Sequence, residues 1–427
     1  MVGGLALLLG LVRLGGPSLW FDESYTVRQL GKPYLEQIEG YQPLYYWLQK
    51  TWTSLAGTSE WALRLPSVLG AVLACGLLVL LARRLVGRQT ALLAGVLLAT
   101  SPFFVKWSQQ ARGYTLLVAL GLASTFLLVR ALERGTRSAW AAYGMSAALV
   151  LVWHALAGLF VLVGQAGLVV LRRERFLPHG LLAVALVVGL GMPWVGQIAV
   201  RTDAEGSETD WIPFPAAETV ARAIADAAGA AGAGVALALL GLWLLRRAGR
   251  AQLALWLGAW AIAPFLVAVA VSTVRPVFLD RYFLSSAPAF ALLAACALTS
   301  VRGRARAVLA LAVGGATLLG LASWYSTGRT GNWMGEDWRR AARTVSERRA
   351  EAGAVVVVPW WAHSAAEYYG LQVQDTSTAR SVWVLRWSEE GGRLDRGERG
   401  PLGLGDHRLV ESLPFGSRLT AQLWQRP

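Results

Sequence analysis

Apolar residues in this chain come in runs about as long as a lipid bilayer is thick, and that limits what it can fold into before any motif is read. A helix needs roughly 20 apolar residues to cross the hydrocarbon core, and about eleven stretches approach that length. They are residues 2–15, 61–82, 91–104, 114–132, 139–153, 156–171, 181–200, 228–245, 253–272, 282–300 and 307–324. The composition agrees: of 427 residues, 55% are hydrophobic and only 15% charged. Backbone polar groups in hydrocarbon must be satisfied within their own segment, so such runs become helices. The expected class is mainly α: a polytopic helical membrane protein, with residues 1–324 as the transmembrane part and 325–427 as a small soluble α/β unit.

A net charge of +14 invites a nucleic-acid reading, but the basic residues form no single patch. They recur at alternate helix ends: Arg83-Arg84 with Arg88, Arg134 with Arg137, Arg172-Arg173 with Arg175, Arg246-Arg247 with Arg250, and Arg302 with Arg304 and Arg306. Those are topology signals, and the positive-inside rule makes their side cytoplasmic. The loops holding Asp22, Gln109, His154, Asp210 and Asp280, and everything after Trp324, are then expected to face outward. The implied partner is a lipid bilayer and not nucleic acid, and the implied location is the plasma (inner) membrane.

The first apolar stretch spans only about 22 Å at helical pitch. It has no charged leader and no clear small-residue cleavage site, which argues against a cleaved signal peptide; either the helix is short or its true start lies upstream. Cys75 and Cys296 lie inside apolar runs, which gives no disulfide framework and no metal-ligand spacing. The Ala/Gly-rich run 227–238 is material for close helix–helix approach. No internal repeat is visible.

After Trp324 the pattern changes. Residues 337–350 read as a charged amphipathic helix, 354–358 as a short buried strand, 365–370 as a helix, and 381–387 and 419–424 as further strands. The Gly- and Arg-rich segment 391–405 reads as a loop.

Acidic residues are scarce near the spans, which makes Asp22-Glu23, set among aromatics directly after the first helix, a candidate functional pair. They open a long first loop, residues 17–60. That loop also carries Gln42-Pro43-Leu44-Tyr45-Tyr46-Trp47, and the next span opens with Arg64-Leu65-Pro66-Ser67. Arg64, Arg112 and Arg281 sit at helix ends where the positive-inside rule would not put them. A planar guanidinium there suits a phosphate; pairing with acids such as Asp280 is the plainer alternative.

Leu19-Trp20-Phe21-Asp22-Glu23-Ser24-Tyr25, Gln42-Pro43-Leu44-Tyr45-Tyr46, Arg64-Leu65-Pro66-Ser67, Ser108-Gln109-Gln110-Ala111-Arg112-Gly113-Tyr114 and Arg281-Tyr282 occur in this order. In that order they resemble the family 39 membrane glycosyltransferases of the C-type fold, which are similar to protein O-mannosyltransferases and lipid A aminoarabinose transferases. The resemblance implies a polyprenyl-phosphate-linked sugar donor and an acceptor that the sequence does not identify: protein, lipid or glycan. It implies Asp22 as general base with Glu23 beside it, and Arg281, Tyr282, Arg112, Arg64, Tyr45, Tyr46, Gln109, Gln110 and Trp211 as substrate-binding residues.

Sugar transfer from a phosphate passes through an oxocarbenium-like state while the acceptor loses a proton, which calls for a carboxylate base and cations on the phosphate. The motif departs from its relatives at one position: Gln110 stands where an acid is usual. An amide cannot act as base, although its carbonyl accepts hydrogen bonds. If a divalent metal ion is bound, Glu23 and His154 are the ligands the resemblance leaves. A transporter or flippase of lipid-linked glycans is the alternative from another class. Transporters tend to show paired halves with broken helices near the midplane, whereas here the charges gather at one surface. A non-catalytic membrane scaffold leaves the ordered motifs without a purpose.

Overall fold

A computed structural model describes residues 1–37, 42–176, 179–197, 212–327, 331–348, 353–375, 379–388, 399 and 402–427. The apolar stretches picked out from sequence are largely helical over their described residues, with non-helical residues at 12–15, Ser101 and Gly229. In chain order the helices are α1 (Val2–Leu11), α2 (Phe21–Leu30), α3 (Pro43–Ala56), α4 (Glu60–Val86), α5 (Arg88–Thr100), α6 (Pro102–Ser108), α7 (Tyr114–Arg134), α8 (Arg137–Trp153), α9 (Ala155–Leu171) and α10 (Gly180–Gln197). They continue with α11 (Ala217–Ala228), α12 (Ala233–Arg247), α13 (Ala251–Ser272), α14 (Ala287–Ser300), α15 (Gly303–Ser326), α16 (Trp338–Glu347) and α17 (His363–Tyr368).

Among the described residues, six helices are long and apolar enough to cross a membrane alone, and up to eight spans result if the bent pairs α5–α6 and α11–α12 each count as one. The α5–α6 bend, 62°, has a local cause. Pro102 carries no N–H and disfavours helical geometry at the preceding Ser101, which takes up an extended conformation.

The segment 17–60, expected as a long loop, is largely helical through α2 and α3. The pattern hid this because α3 buries one face, through Tyr45, Tyr46 and Gln49, beside polar Lys50 and Thr51. The chain divides into two compact units: Met1–Val12, Tyr34–Gln49 and Arg64–Trp324 form the first, and Arg13–Pro33, Lys50–Leu63 and Tyr325–Pro427 the second. The second unit thus takes in two pieces of the early chain besides the tail.

In the first unit, the segment containing α14 is the most enclosed, with 89% of its span buried, while α15 has 11%. Leu311, Leu318 and Leu319 stand exposed on α15, as suits a helix whose solvent is lipid. Polar glue is sparse and internal: the Tyr143 hydroxyl donates to Gln165 at 3.1 Å, and Gln165 donates to Thr125 at 3.2 Å, tying α8, α9 and α7. Backbones approach closely where α12 meets α14. A Cβ at Gly241 would lie 2.1 Å from the Leu293 carbonyl oxygen.

The second unit is built on a four-stranded sheet: β1 (Ala354–Val358), β2 (Ser381–Trp387), β3 (Arg408–Pro414) and β4 (Leu419–Gln425), in the order β1-β2-β4-β3. β1 and β2 run parallel; the other pairs are antiparallel. Alternate residues of β1 and β2 face two cores. Val355, Val357, Trp383 and Leu385 pack with α16, and Val356, Val382 and Val384 with Leu404 and Trp424. α16 offers that core Trp338, Ala341, Ala342 and Val345, a stripe at helical spacing, and its first turn is capped by the Asp337 side chain, which accepts from Arg340 N–H at 3.1 Å. β3, not expected from sequence, is the sheet edge; Arg408, Val410 and Ser412 alternate outward, so no buried run announces it. The segment 391–405 lies mostly outside the described residues.

Gly241→Val should drive α12 off α14 at a contact where backbone, not a flexible side chain, is the obstacle. The expected cost is about 1–3 kcal/mol of overpacking, read as a lower midpoint for thermal unfolding in detergent.

Candidate active site

The acid pair lies in the second unit, in the first turn of α2, where the helix dipole favours negative charge. The two carboxylates are not equivalent. Glu23, three residues into the helix, turns back so that its Oε2 accepts from the Trp20 N–H at 3.4 Å, the reciprocal half of a capping box. It is wholly buried. Asp22 stays half-buried, its backbone carbonyl accepting from the Thr26 hydroxyl at 3.0 Å. One acid is spent on starting the helix; the other is half-buried, with its Oδ2 enclosed.

The cationic residues lie in the first unit, around the short connection between α6 and α7. Gln109 opens it, and both ends of its amide are engaged. Nε2 donates to the Leu9, Gly10 and Val12 carbonyls at 3.3, 3.0 and 2.7 Å, and Oε1 accepts from Trp324 Nε1 at 2.6 Å. Those carbonyls are the ones the end of α1 cannot satisfy within the helix. The chain then tightens, with Arg112 N–H donating to the Gln110 carbonyl at 2.7 Å. Ser67 Oγ donates to the Arg112 carbonyl at 2.8 Å, and the Thr115 hydroxyl returns a bond to the Ser67 carbonyl at 2.7 Å. Gly113 is needed for close approach: a Cβ there would meet Trp153 Nε1 at 2.9 Å and the Tyr45 ring at 3.0 Å.

This brace aims Arg112 and Tyr114 at one cluster. The Arg112 guanidinium lies 5.9 Å from the Tyr114 ring centre, and Arg281 Nε donates to the Tyr114 hydroxyl at 3.2 Å. The His154 ring is 5.5 Å from Tyr114 and 5.2 Å from Tyr282. Both arginines act electrostatically on His154. His154 joins α8 to α9 and caps the latter: its Nδ1 accepts from the Ala157 N–H at 3.4 Å. An accepting Nδ1 assigns the proton to Nε2, and that nitrogen is buried with no hydrogen-bond partner. His154 therefore presents a donor, not a lone pair, within the electrostatic reach of both guanidinium groups.

Other expected site residues are placed differently. Tyr45 and Tyr46 are buried, Tyr45 packing edge-on to Trp153 at 6.1 Å behind Gly113. Arg64 is buried near the start of α4. Gln110 is buried, and its Oε1 accepts no hydrogen bond. Tyr282 is enclosed by Tyr114, His154 and Phe160. Trp211, with Asp210, lies outside the described residues. Among the described residues no three His, Cys, Asp or Glu side chains gather as a metal site.

The sequence reading passed over Lys106 and Asp226. Lys106 Nζ lies 3.9 Å from Asp280 Oδ2 and stands over the Trp107 ring. Asp226 shares the electrostatic neighbourhood of Lys106 and Asp280. A lone lysine inside an otherwise apolar segment was the signal available for Lys106; Asp226 lies in a helix that also carries Glu218 and Arg222.

Residues 40–195 match the family model described as dolichyl-phosphate-mannose-protein mannosyltransferase. The match includes the 108–114 motif and His154 but not the acid pair or Arg281. No curated protein matches the chain by sequence. In three dimensions the chain is similar to ArnT from Cupriavidus metallidurans in the apo state, with a TM-score of 0.69 at 15% identity over 99% of this chain and 97% of that one. The same enzyme bound to undecaprenyl phosphate gives 0.67 at 14% identity with the same coverage. The Archaeoglobus fulgidus oligosaccharyltransferase in complex with Zn and sulfate gives 0.55 at 14% identity, over 87% of this chain and 62% of that one. The chain has the C-type glycosyltransferase fold, many apolar helices followed by a small sheet domain, as the sequence motifs implied.

Gln109→Leu should leave carbonyls at the end of α1 unsatisfied, each costing about 1–3 kcal/mol. The expected result is a lower midpoint for thermal unfolding of the variant in detergent.

Proposed function

We propose that the protein is a membrane glycosyltransferase that moves a sugar from a polyprenyl-phosphate-linked donor to an extracytoplasmic acceptor with inversion at the anomeric carbon. The observation that carries this reading is the convergence of Arg112, Arg281 and the Nε2–H of His154 on one polar cluster of a membrane unit, a donor set suited to a phosphate group. The match to the mannosyltransferase model and the ArnT-like fold support the same class. The arginine clusters at alternate helix ends favour a multi-pass protein of the plasma membrane, with the site and the sheet unit outside.

In this reading Asp22 takes the proton from the acceptor's nucleophile, which attacks the anomeric carbon. The bond from that carbon to the phosphate oxygen breaks, and the electron pair leaves with the polyprenyl phosphate. Arg281, oriented by Tyr114, and Arg112, held by the 109–113 connection, carry the charge that grows on the leaving group, with His154 as a third donor. Tyr282 walls the cluster, and the unmet carbonyl of Gln110 accepts from a sugar hydroxyl.

The residues suggested for a divalent ion do not fit one: the Glu23 carboxylate caps α2, and His154 has its lone pair engaged at Nδ1 and a proton at Nε2. Each step above runs on the chain's own side chains.

Asp22→Asn should abolish sugar transfer while expression, membrane insertion and binding of undecaprenyl phosphate persist; turnover at the wild-type rate removes Asp22 as base. Arg281→Ala should weaken donor binding more than acceptor binding, and equal losses would place Arg281 elsewhere. Turnover in chelator should match that in buffer, and a loss restored by added divalent ion would return the metal to the mechanism. The acceptor is found by mass spectrometry of envelope glycans and glycoproteins from cells with and without the gene.

A further inference from the structure

Leu19, directly before the first residue of the capping box, has both backbone polar groups taken by side chains more than 300 positions further along. The Tyr369 hydroxyl accepts from the Leu19 N–H at 2.8 Å, and Asn332 Nδ2 donates to the Leu19 carbonyl at 3.2 Å. Neither partner is loose. Tyr369 also donates to Glu60 Oε1 at 3.0 Å. Asn332 also donates to the buried Glu336 carboxylate at 3.1 Å, and its Oδ1 accepts from the Met334 and Glu336 N–H groups.

Neighbouring residues are fixed in the same way. Arg339 donates to the carbonyls of Gly16 at 3.0 Å and Gly15 at 3.2 Å while pairing with Glu60. Ser18 Oγ donates to the Glu336 carbonyl at 3.1 Å, and Phe21 packs edge-on to Trp361 at 4.7 Å. Glu336 itself is costly to keep. Burial pushes its carboxyl group up, offset by donors from Asn332, Trp338 and Trp387. Burying a carboxylate for packing alone is unfavourable, and here it serves to anchor Asn332.

We propose that Asn332 and Tyr369 are positioning residues: by fixing the peptide groups on either side of Leu19 they set the entry of α2 and with it the orientation of the Asp22 carboxylate. The tail of the chain is then part of the catalytic apparatus without touching substrate. This rests on the reading of Asp22 as the base. A base must be held within a fraction of an ångström of its working place, and a displacement of about 1 Å costs on the order of a hundredfold in rate.

The test uses the full chain in detergent or nanodiscs. Turnover is followed as release of undecaprenyl phosphate from whichever synthetic undecaprenyl-phosphate-linked pentose or hexose the wild type accepts, and Kd is measured for undecaprenyl phosphate itself. Asn332→Ala and Tyr369→Phe should each lower kcat by about tenfold to a hundredfold, with donor KM and the Kd for undecaprenyl phosphate within twofold of wild type. Tyr369→Phe removes one oxygen atom and keeps the ring, so it guards against loss of the fold. Wild-type kcat in both variants overturns the proposal. So does a fall in kcat matched by an equal loss of undecaprenyl phosphate affinity, which marks general damage. The underlying reading fails separately: an Asp22→Asn variant with full turnover, or a wild type that accepts no lipid-linked sugar, rejects the base assignment whatever the two positioning variants do.

Discussion

A helix that ends inside a membrane protein leaves carbonyl oxygens that no water can reach, and in this chain one side chain takes them. Gln109 donates to three carbonyls at the end of α1 and holds Trp324 with its other end. The cation-bearing connection after it is braced from that point: Ser67 and Thr115 lock the Arg112 peptide, Gly113 lets Trp153 and Tyr45 press against the backbone, and Tyr114 emerges with its hydroxyl on Arg281. The polar cluster is rigid because the hydrocarbon-facing part of the fold first had to satisfy its own backbone.

The two halves of the candidate chemistry illustrate how a helix terminus sorts equivalent groups into different tasks. Asp22 and Glu23 are adjacent and chemically alike. The geometry of a first helical turn returns the third residue's side chain to the cap and leaves the second residue's side chain outside it. His154 is sorted by the same logic. Once Nδ1 caps α9, the remaining nitrogen becomes a donor, and a residue that composition alone would offer to a metal is instead suited to an anion.

Much of this was legible in the sequence because it is written in period and spacing. Most of the apolar helices were marked by their apolar runs, α16 by its charged amphipathic pattern, and β1, β2 and β4 by short strand-like runs. The order of the motifs pointed to the fold. Features that depend on which group meets which were not legible. β3 escaped because none of its residues is buried. Gln109 read as a substrate contact, since nothing in its neighbourhood tells that its amide reaches back to α1. Lys106 was passed over as a single charge in an apolar segment and Asp226 as one of several charges on α11, and their meaning lies in a shared neighbourhood with Asp280 that only the fold creates.

The bonds to Leu19 and Ser18 span 350, 313 and 318 positions of sequence. Residues 15–24 leave the ribosome long before residues 332–369 exist, so the Leu19 and Ser18 groups lack these partners through synthesis of almost every membrane helix. The order of synthesis thus acts as a timer: a nascent chain can insert its spans and assemble its cationic cluster while the entry to the acid-bearing helix is still unset. A ribosome that stops before Tyr369 releases a protein that occupies the membrane with that entry never completed.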